Sequence, residues 1–104
     1  MKRGTTPTHV FTLPFDVGTV KAMQIIYEQK QGEEEAVTLM KSKSDCTLSG
    51  NTVTLRLTQE ETLKFAYGFP VRIQMRVLTN SDDALTSRIM TVRVEDCLSD
   101  EVLT

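Results

Sequence analysis

The stretch Val71-Arg72-Ile73-Gln74-Met75-Arg76-Val77 decides the fold, because its apolar and polar side chains alternate without a break. A period of two residues is typical of a β-strand that buries one face and exposes the other. The apolar residues at the odd positions are therefore expected to face a core, and Arg72, Gln74 and Arg76 are expected to face solvent.

The same alternation recurs on both sides of this stretch. Residues 52–57, Thr-Val-Thr-Leu-Arg-Leu, predict a second strand with its apolar side chains inward. Residues 20–29 predict a longer strand, with Met23, Ile25 and Tyr27 on one face. A helix is the alternative on propensity, but the β-branched and aromatic residues and the absence of a capping box favour the strand. Further strands are expected at residues 9–13, 36–41, 46–48 and 88–94.

The strand expected at residues 88–94 contains one residue that is out of phase. Met90, Val92 and Val94 form its apolar face, whereas Ile89 falls on the opposite face. An extra residue in one strand of a pair changes the phase in this way, so we expect a bulge or partial burial near Ile89.

The period changes at Thr58, where Thr58-Gln59-Glu60-Glu61 matches a capping box. In such a box the Thr hydroxyl accepts from a first-turn N–H, and the Glu carboxylate accepts from the Thr N–H. We therefore predict a short helix over residues 59–64 that joins two strands and buries Leu63.

Six to seven predicted strands, frequent turn signals and one helical turn indicate an all-β fold. This rhythm is typical of an immunoglobulin-like antiparallel β-sandwich, with a partly open small barrel as the alternative. The 104 residues suffice for one domain over residues 1–104. We expect a flexible start at 1–8 and an acidic tail at 95–104, which either docks as a last helix or frays.

Composition excludes several classes of function. A net charge of −2 argues against nucleic-acid binding, which usually requires a basic excess. One His, two Cys and no recognisable catalytic motif predict that the chain is not an enzyme and holds no metal or cofactor. Cys46 and Cys97 are most simply two reduced thiols, and a disulfide between them is the alternative.

The first residues, including Lys2 and Arg3, are not followed by the apolar run of a signal peptide, and no window resembles a membrane span. We therefore expect a cytoplasmic protein without a membrane partner, which leaves the cell only by a route such as lysis.

Two surfaces are candidates for contact with another protein. The first is the exposed stripe of Arg72, Gln74 and Arg76, with Arg93 expected opposite on the next strand. Arginines pair well with an acidic partner, although a solvated outer face is the alternative. The second is the edge strand at residues 9–13, with His9 and Phe11, which could accept a strand from a neighbouring copy.

Four stretches of the chain resemble a known family. Residues 5–14 (TTPTHVFTLP), 57–65 (LTQEETLKF), 73–78 (IQMRVL) and 100–103 (DEVL) are similar to a family of short, mostly uncharacterised proteins from phages and prophages of low-GC Gram-positive bacteria. More distantly, the chain resembles the N-terminal β-sandwich of phage upper baseplate proteins. The resemblance implies a virion- or tail-associated domain and supplies no catalytic residues.

Two hypotheses follow from the residues and the resemblance together. The first is a non-enzymatic phage structural or interaction domain that binds itself or other phage structural components, with a homo-oligomer as one expected form. The second is a monomeric regulatory module that binds a host or phage protein. The first predicts a location in the host cytoplasm and then in the virion.

Overall fold

Alternating apolar residues build two antiparallel sheets in the computed structural model, which describes all 104 residues. The small sheet has the order β1-β5-β4, and the large sheet has the order β3-β2-β6 with β7 and β8 both paired to β6. The strands are β1 (Thr8–Thr12), β2 (Val20–Gln29), β3 (Val37–Ser42), β4 (Thr47–Ser49), β5 (Thr52–Arg56), β6 (Val71–Thr79), β7 (Ala84–Thr86) and β8 (Met90–Val92).

Three short helical segments connect these strands. The α-helix α1 spans Gln59–Leu63, and single 3-10 turns span Val17–Thr19 and Lys43–Asp45. None of these segments has the length and apolar character that crossing a membrane requires.

The two separate sheets confirm the β-sandwich and exclude the barrel alternative. The order β1-β5-β4 corresponds to strands B-E-D of an immunoglobulin domain, and β3-β2-β6-β7 corresponds to C′-C-F-G. Eight strands are present, one more than the largest number expected. The additional strand, β7, has three residues that are all exposed, so it carries no alternation that a sequence pattern could reveal.

The core lies between the inward faces of the two sheets, as the alternation predicts. In β6 the four odd-numbered apolar residues are buried, and β2 buries Met23, Ile25 and Tyr27. Val53 and Leu55 of β5, followed by Leu57, close the core from the small sheet. Burial of these side chains removes the largest apolar area from water and is the main force that holds the sheets together.

The bulge expected near Ile89 is present between β7 and β8. Ile73 pairs with Met90 and Arg76 pairs with Thr86, so two residues of β6 face three residues of the edge strand. Ser87 fills the irregularity, because its N–H donates to the Met75 carbonyl at 2.8 Å and its hydroxyl accepts from the Met75 N–H at 2.9 Å.

The capping box of α1 is confirmed, but the expected burial of Leu63 is wrong. The Thr58 hydroxyl accepts from the Glu61 N–H at 3.2 Å, and the Glu61 carboxylate accepts from the Thr58 N–H at 2.9 Å. Thr62 is the fully buried residue of the helix, and Leu63 is half-buried. The Thr62 hydroxyl donates to the Thr5 carbonyl at 2.9 Å, which satisfies its polar group in the interior.

Both ends of the chain make defined contacts. Lys2 and Glu95 form a parallel bridge, and Arg3 donates to the Phe65 carbonyl at 2.6 Å and to the Asp100 carboxylate at 2.7 Å. Residues 95–104 form no helix, and Leu103 instead exchanges two backbone hydrogen bonds with the side chain of Gln59.

The sandwich is elongated, with extents of 46 × 33 × 17 Å and a radius of gyration of 14.7 Å. Chains of this length have a radius near about 13 Å. The accessible surface is 6724 Å², whereas a compact monomer of this mass exposes about 5,900 Å². The molecule therefore exposes more surface than a compact monomer of its size.

Gln29, at the end of β2, is a fully buried polar residue with a complete set of partners. Its amide nitrogen donates to the carbonyls of Ala66 and Phe69 at 2.8 Å each, and its oxygen accepts from the Ala66 N–H at 2.7 Å. Gln31 donates a further hydrogen bond to the same oxygen. One side chain thus holds the loop between α1 and β6 against the sheet.

We expect Gln29→Leu to lower the free energy of unfolding by about 2–4 kcal/mol, because it leaves three partly buried backbone groups of the loop without their partners. Urea denaturation measures the change, and Gln24→Leu on the exposed face of the same strand is the control. A loss no larger than that of the control would show that the loop does not depend on Gln29.

Candidate functional site

The outward face of the large sheet brings the predicted stripe together with its neighbours on β2. Arg72, Gln74 and Arg76 point outward from β6, as expected. The strand register places Glu28 beside Arg72, Ile26 beside Gln74 and Gln24 beside Arg76. The stripe is therefore one column of a wider surface and does not stand alone.

An apolar row crosses this face between the two arginines. Ile26 pairs with Met40 on β3, and Met40 is 60% exposed. On the other side of Gln74, Ile89 packs near Ile26 around a shallow depression of about 100 Å³ and is 45% exposed. We call this set the outer-face surface: Ile26, Met40, Arg72, Gln74, Arg76 and Ile89.

The two arginines of the outer-face surface differ in their partners. The Arg72 guanidinium lies 3.3 Å from a carboxylate oxygen of Glu28, so it has an ion-pair partner within the sheet. Arg76 donates to the neutral amide oxygen of Gln24 at 3.3 Å and has no carboxylate partner. Arg76 is thus the cation of this surface that remains free to pair with another molecule.

Arg93 lies one residue beyond β8, two positions after Thr91, which pairs with Arg72. It borders a depression of about 220 Å³ together with Tyr67, Gly68, Phe69 and Pro70. Tyr67 is 64% exposed and Phe69 is partly exposed, on the loop that Gln29 fixes. We call residues 67–70 the aromatic loop; it presents two rings in a defined position.

His9 and Phe11 lie on the small sheet, and both side chains are turned toward the core. The His9 Nδ1 atom lies 2.7 Å from the Tyr27 hydroxyl, and the two rings stack with centroids 5.7 Å apart. The two candidate contact surfaces therefore lie on different sheets. On β1 the residues that face solvent are Thr8, Val10 and Thr12, and Val10 is 60% exposed.

Titratable groups collect around the buried Tyr27. Burial, and then the charges of Cys46 and Glu61, raise the pKa of the Tyr27 hydroxyl above its usual 10.0, so it keeps its proton. Burial opposes ionisation of Glu61, but hydrogen bonds from Lys41 and Thr58 outweigh it and lower the pKa of that carboxyl. The resulting Lys41–Glu61 ion pair ties β3 to α1.

Tyr27, at the centre of this cluster, is completely buried. Cys46 and Cys97 are unpaired and half-buried, and burial raises the pKa of the Cys46 thiol, which keeps the less reactive protonated form. No three His, Cys, Asp or Glu side chains converge as metal ligands would.

Sequence patterns missed several residues of these surfaces. Ile26 and Met40 belong to the outer-face surface only because β2 and β3 pair in one particular register. Tyr67 and Phe69 are exposed by the loop conformation, in which Gly68 has a φ of 94°. The sequence did contain a signal for this turn, because Gly68 and Pro70 are typical turn residues and the two aromatic residues lie next to them.

The His9–Tyr27 contact predicts a pH dependence of stability. Burial, and then the positive N-terminal amine, lower the pKa of His9 below 6.5, so the unfolded chain binds the proton more readily than the folded chain. The free energy of unfolding should therefore fall as the pH drops from about 7 to about 5.

Urea denaturation at several pH values checks this expectation. His9→Gln should flatten the profile between about pH 7 and pH 5, where the carboxylates of the folded chain stay ionised. A variant with the same slope as the wild type would assign the effect to other groups.

The outer-face surface, the aromatic loop and the free strand β1 are thus defined by the geometry of this chain. In comparisons with known proteins, no family model, no curated protein and no solved structure matches it.

Proposed function

We propose that this chain is a non-enzymatic structural or interaction domain of a phage or prophage, associated with the virion tail or baseplate. It acts through protein–protein contacts, and the outer-face surface is its contact region. The observation that carries the proposal is the apolar row of Ile26, Met40 and Ile89, which lies between two arginines on an exposed sheet.

The composition of this surface suits another protein better than a small molecule. Protein interfaces combine an apolar centre with a polar rim and are enriched in Met and Arg. The depression beside Ile26 and Ile89 holds only about 100 Å³, which is below the usual size of a small-molecule pocket. A flat partner surface can cover the whole row and reach the arginines on either side.

The charges indicate the chemistry of the partner. Arg76 lacks a carboxylate within the chain, and its guanidinium fits a carboxylate with two parallel hydrogen bonds. Arg72 can keep its contact with Glu28 at the rim of the same interface. A partner surface with an apolar centre and an acidic residue placed near Arg76 meets these requirements.

The phage assignment is supported by the sequence resemblance over residues 5–14, 57–65, 73–78 and 100–103. A β-sandwich with a large accessible surface is consistent with a domain that works within an assembly. The proposal places the chain first in the host cytoplasm and then in the particle.

A monomeric regulatory binding module is the second candidate, and the aromatic loop favours it. Tyr67 and Phe69 are held in place by Gln29 and have Arg93 at their side. Exposed aromatic side chains next to an arginine are the residue types that dominate binding energies in many complexes. Such a module would act in infected cells and be absent from purified particles.

The experiment that tests the proposal measures incorporation of the chain into particles purified from an induced lysogen, with an antibody against the chain. We expect the wild-type chain in the particles, and about tenfold less of Arg76→Glu or Met40→Asp, because each removes one part of the contact. Absence of the wild-type chain would refute the particle role and favour the regulatory module.

Matched controls separate this surface from general effects of charge. Lys30→Glu reverses an exposed charge at the end of β2, and Leu98→Asp replaces a fully exposed apolar residue in the tail. Both are expected to enter particles at the wild-type level. Equal incorporation of the test variants and the controls would exclude the outer-face surface as the contact region.

A further inference from the structure

Strand β1 has a free edge whose hydrogen-bonding groups can be identified residue by residue. The Leu57 N–H donates to the Pro7 carbonyl at 3.0 Å, and the Leu13 N–H donates to the Asn51 carbonyl at 2.7 Å. In an antiparallel ladder such residues alternate, so the odd-numbered residues of β1 bond to β5. The N–H and C=O groups of Thr8, Val10 and Thr12 therefore point away from the sheet.

Each of the other sheet edges carries a feature that prevents pairing with another chain. The β7–β8 edge is broken by its bulge, β3 contains the inward-pointing Lys41, and β4 has only three residues. Bulges, inward charges and short strands are the usual means of blocking an edge. The five residues of β1, Thr-His-Val-Phe-Thr, contain neither a bulge nor a formally charged side chain at neutral pH.

We propose that β1 pairs antiparallel with β1 of a second copy across a two-fold axis at Val10. In this register the N–H and C=O groups of Val10 bond to those of Val10 in the second copy. Thr8 pairs in the same way with Thr12 of the second copy, and Thr12 pairs with its Thr8. The two small sheets then form one continuous antiparallel sheet, and the dimer is closed.

The side chains of β1 suit this register because its sequence is nearly symmetric about Val10. The axis places Val10 opposite Val10, Thr opposite Thr, and His9 opposite Phe11. Pairs of β-branched residues, of threonines and of rings stabilise neighbouring strands. No pair brings like charges together at neutral pH, since burial keeps His9 uncharged.

Two prolines limit the alternatives. Pro14 stands at the next outward-pointing position after Thr12 and has no N–H to donate, and Pro7 precedes the strand on the other side. Only the register centred on Val10 lets all three outward residues of each copy bond to outward residues of β1 in the other. A shift by two residues in either direction leaves groups of both strands unpaired.

The shape of the molecule leaves this edge open to a second copy. The sandwich is elongated, and no other strand pairs with the outer edge of β1. The outward groups of Thr8, Val10 and Thr12 are therefore accessible to the same groups of another molecule.

This inference rests on the proposed function only in that the chain acts by protein–protein contact. The dimer contact uses the small sheet, whereas the outer-face surface belongs to the large sheet.

Light scattering should give twice the 11.7 kDa chain mass for the wild type. Val10→Lys should weaken dimerisation by about tenfold or more, because it sets two ammonium groups opposite each other at the axis. A monomeric wild type up to near-millimolar concentration would overturn the proposal.

Met40→Lys is the matched control, because Met40 is as exposed as Val10 but lies on the outer-face surface. We expect this variant to remain a dimer. A dimer that survives Val10→Lys and dissociates with Met40→Lys would overturn the β1 contact and leave the outer-face surface as the site of self-association. If Met40→Lys stays a dimer but is not incorporated into particles, the dimer contact and the particle contact lie on different surfaces, as proposed.

Disulfide cross-linking tests the register itself, in a background of Cys46→Ser and Cys97→Ser. Directly opposed residues of a hydrogen-bonded pair have Cα atoms about 5.5 Å apart, within disulfide range. Val10→Cys alone should form a covalent dimer, and Thr8→Cys alone should not. An equal mixture of Thr8→Cys and Thr12→Cys should cross-link. Efficient cross-linking of Thr8→Cys by itself would exclude the two-fold at Val10.

Discussion

The pairing of β2 with β6 is the constraint on which the rest of the structure depends. These are the two longest strands, and together they place Ile25, Tyr27, Ile73 and Met75 side by side on one buried face. The small sheet has short strands and is stable only because it covers that face. The polar groups that end up inside are bonded to backbone or to one another, which keeps the cost of burying them low.

Much of the fold follows from local sequence, but the surfaces do not. Alternation predicted which residues of β2, β5 and β6 are buried, and the phase of Ile89 predicted the bulge. Burial of Thr62 instead of Leu63 depends on a carbonyl of residue 5, which is distant in sequence. The outward direction of Arg72 and Arg76 was predictable, whereas the apolar row beside them required the register between β3, β2 and β6.

The proposed contact surfaces occupy opposite sides of the sandwich. The outer-face surface belongs to the large sheet, and the free edge of β1 belongs to the small sheet. Each can be occupied without covering the other, so a dimer could present two outer-face surfaces to its surroundings. Two-fold association combined with a second contact per copy is a geometry from which extended assemblies can be built.

The bulge at residues 87–89 has a consequence for how this chain can change length over generations. Because strand side chains alternate in direction, adding or removing one residue reverses every side chain that follows within the strand. The edge strand has one extra residue between Thr86 and Met90, and this residue changes the phase of the side chains only there. Leu85 and Met90 therefore lie on the inward side of the sheet, and Ile89 points outward. Natural variants that lose one residue here would give up the outward Ile89 and retain the core, whereas gains or losses within β6 itself should be confined to even numbers.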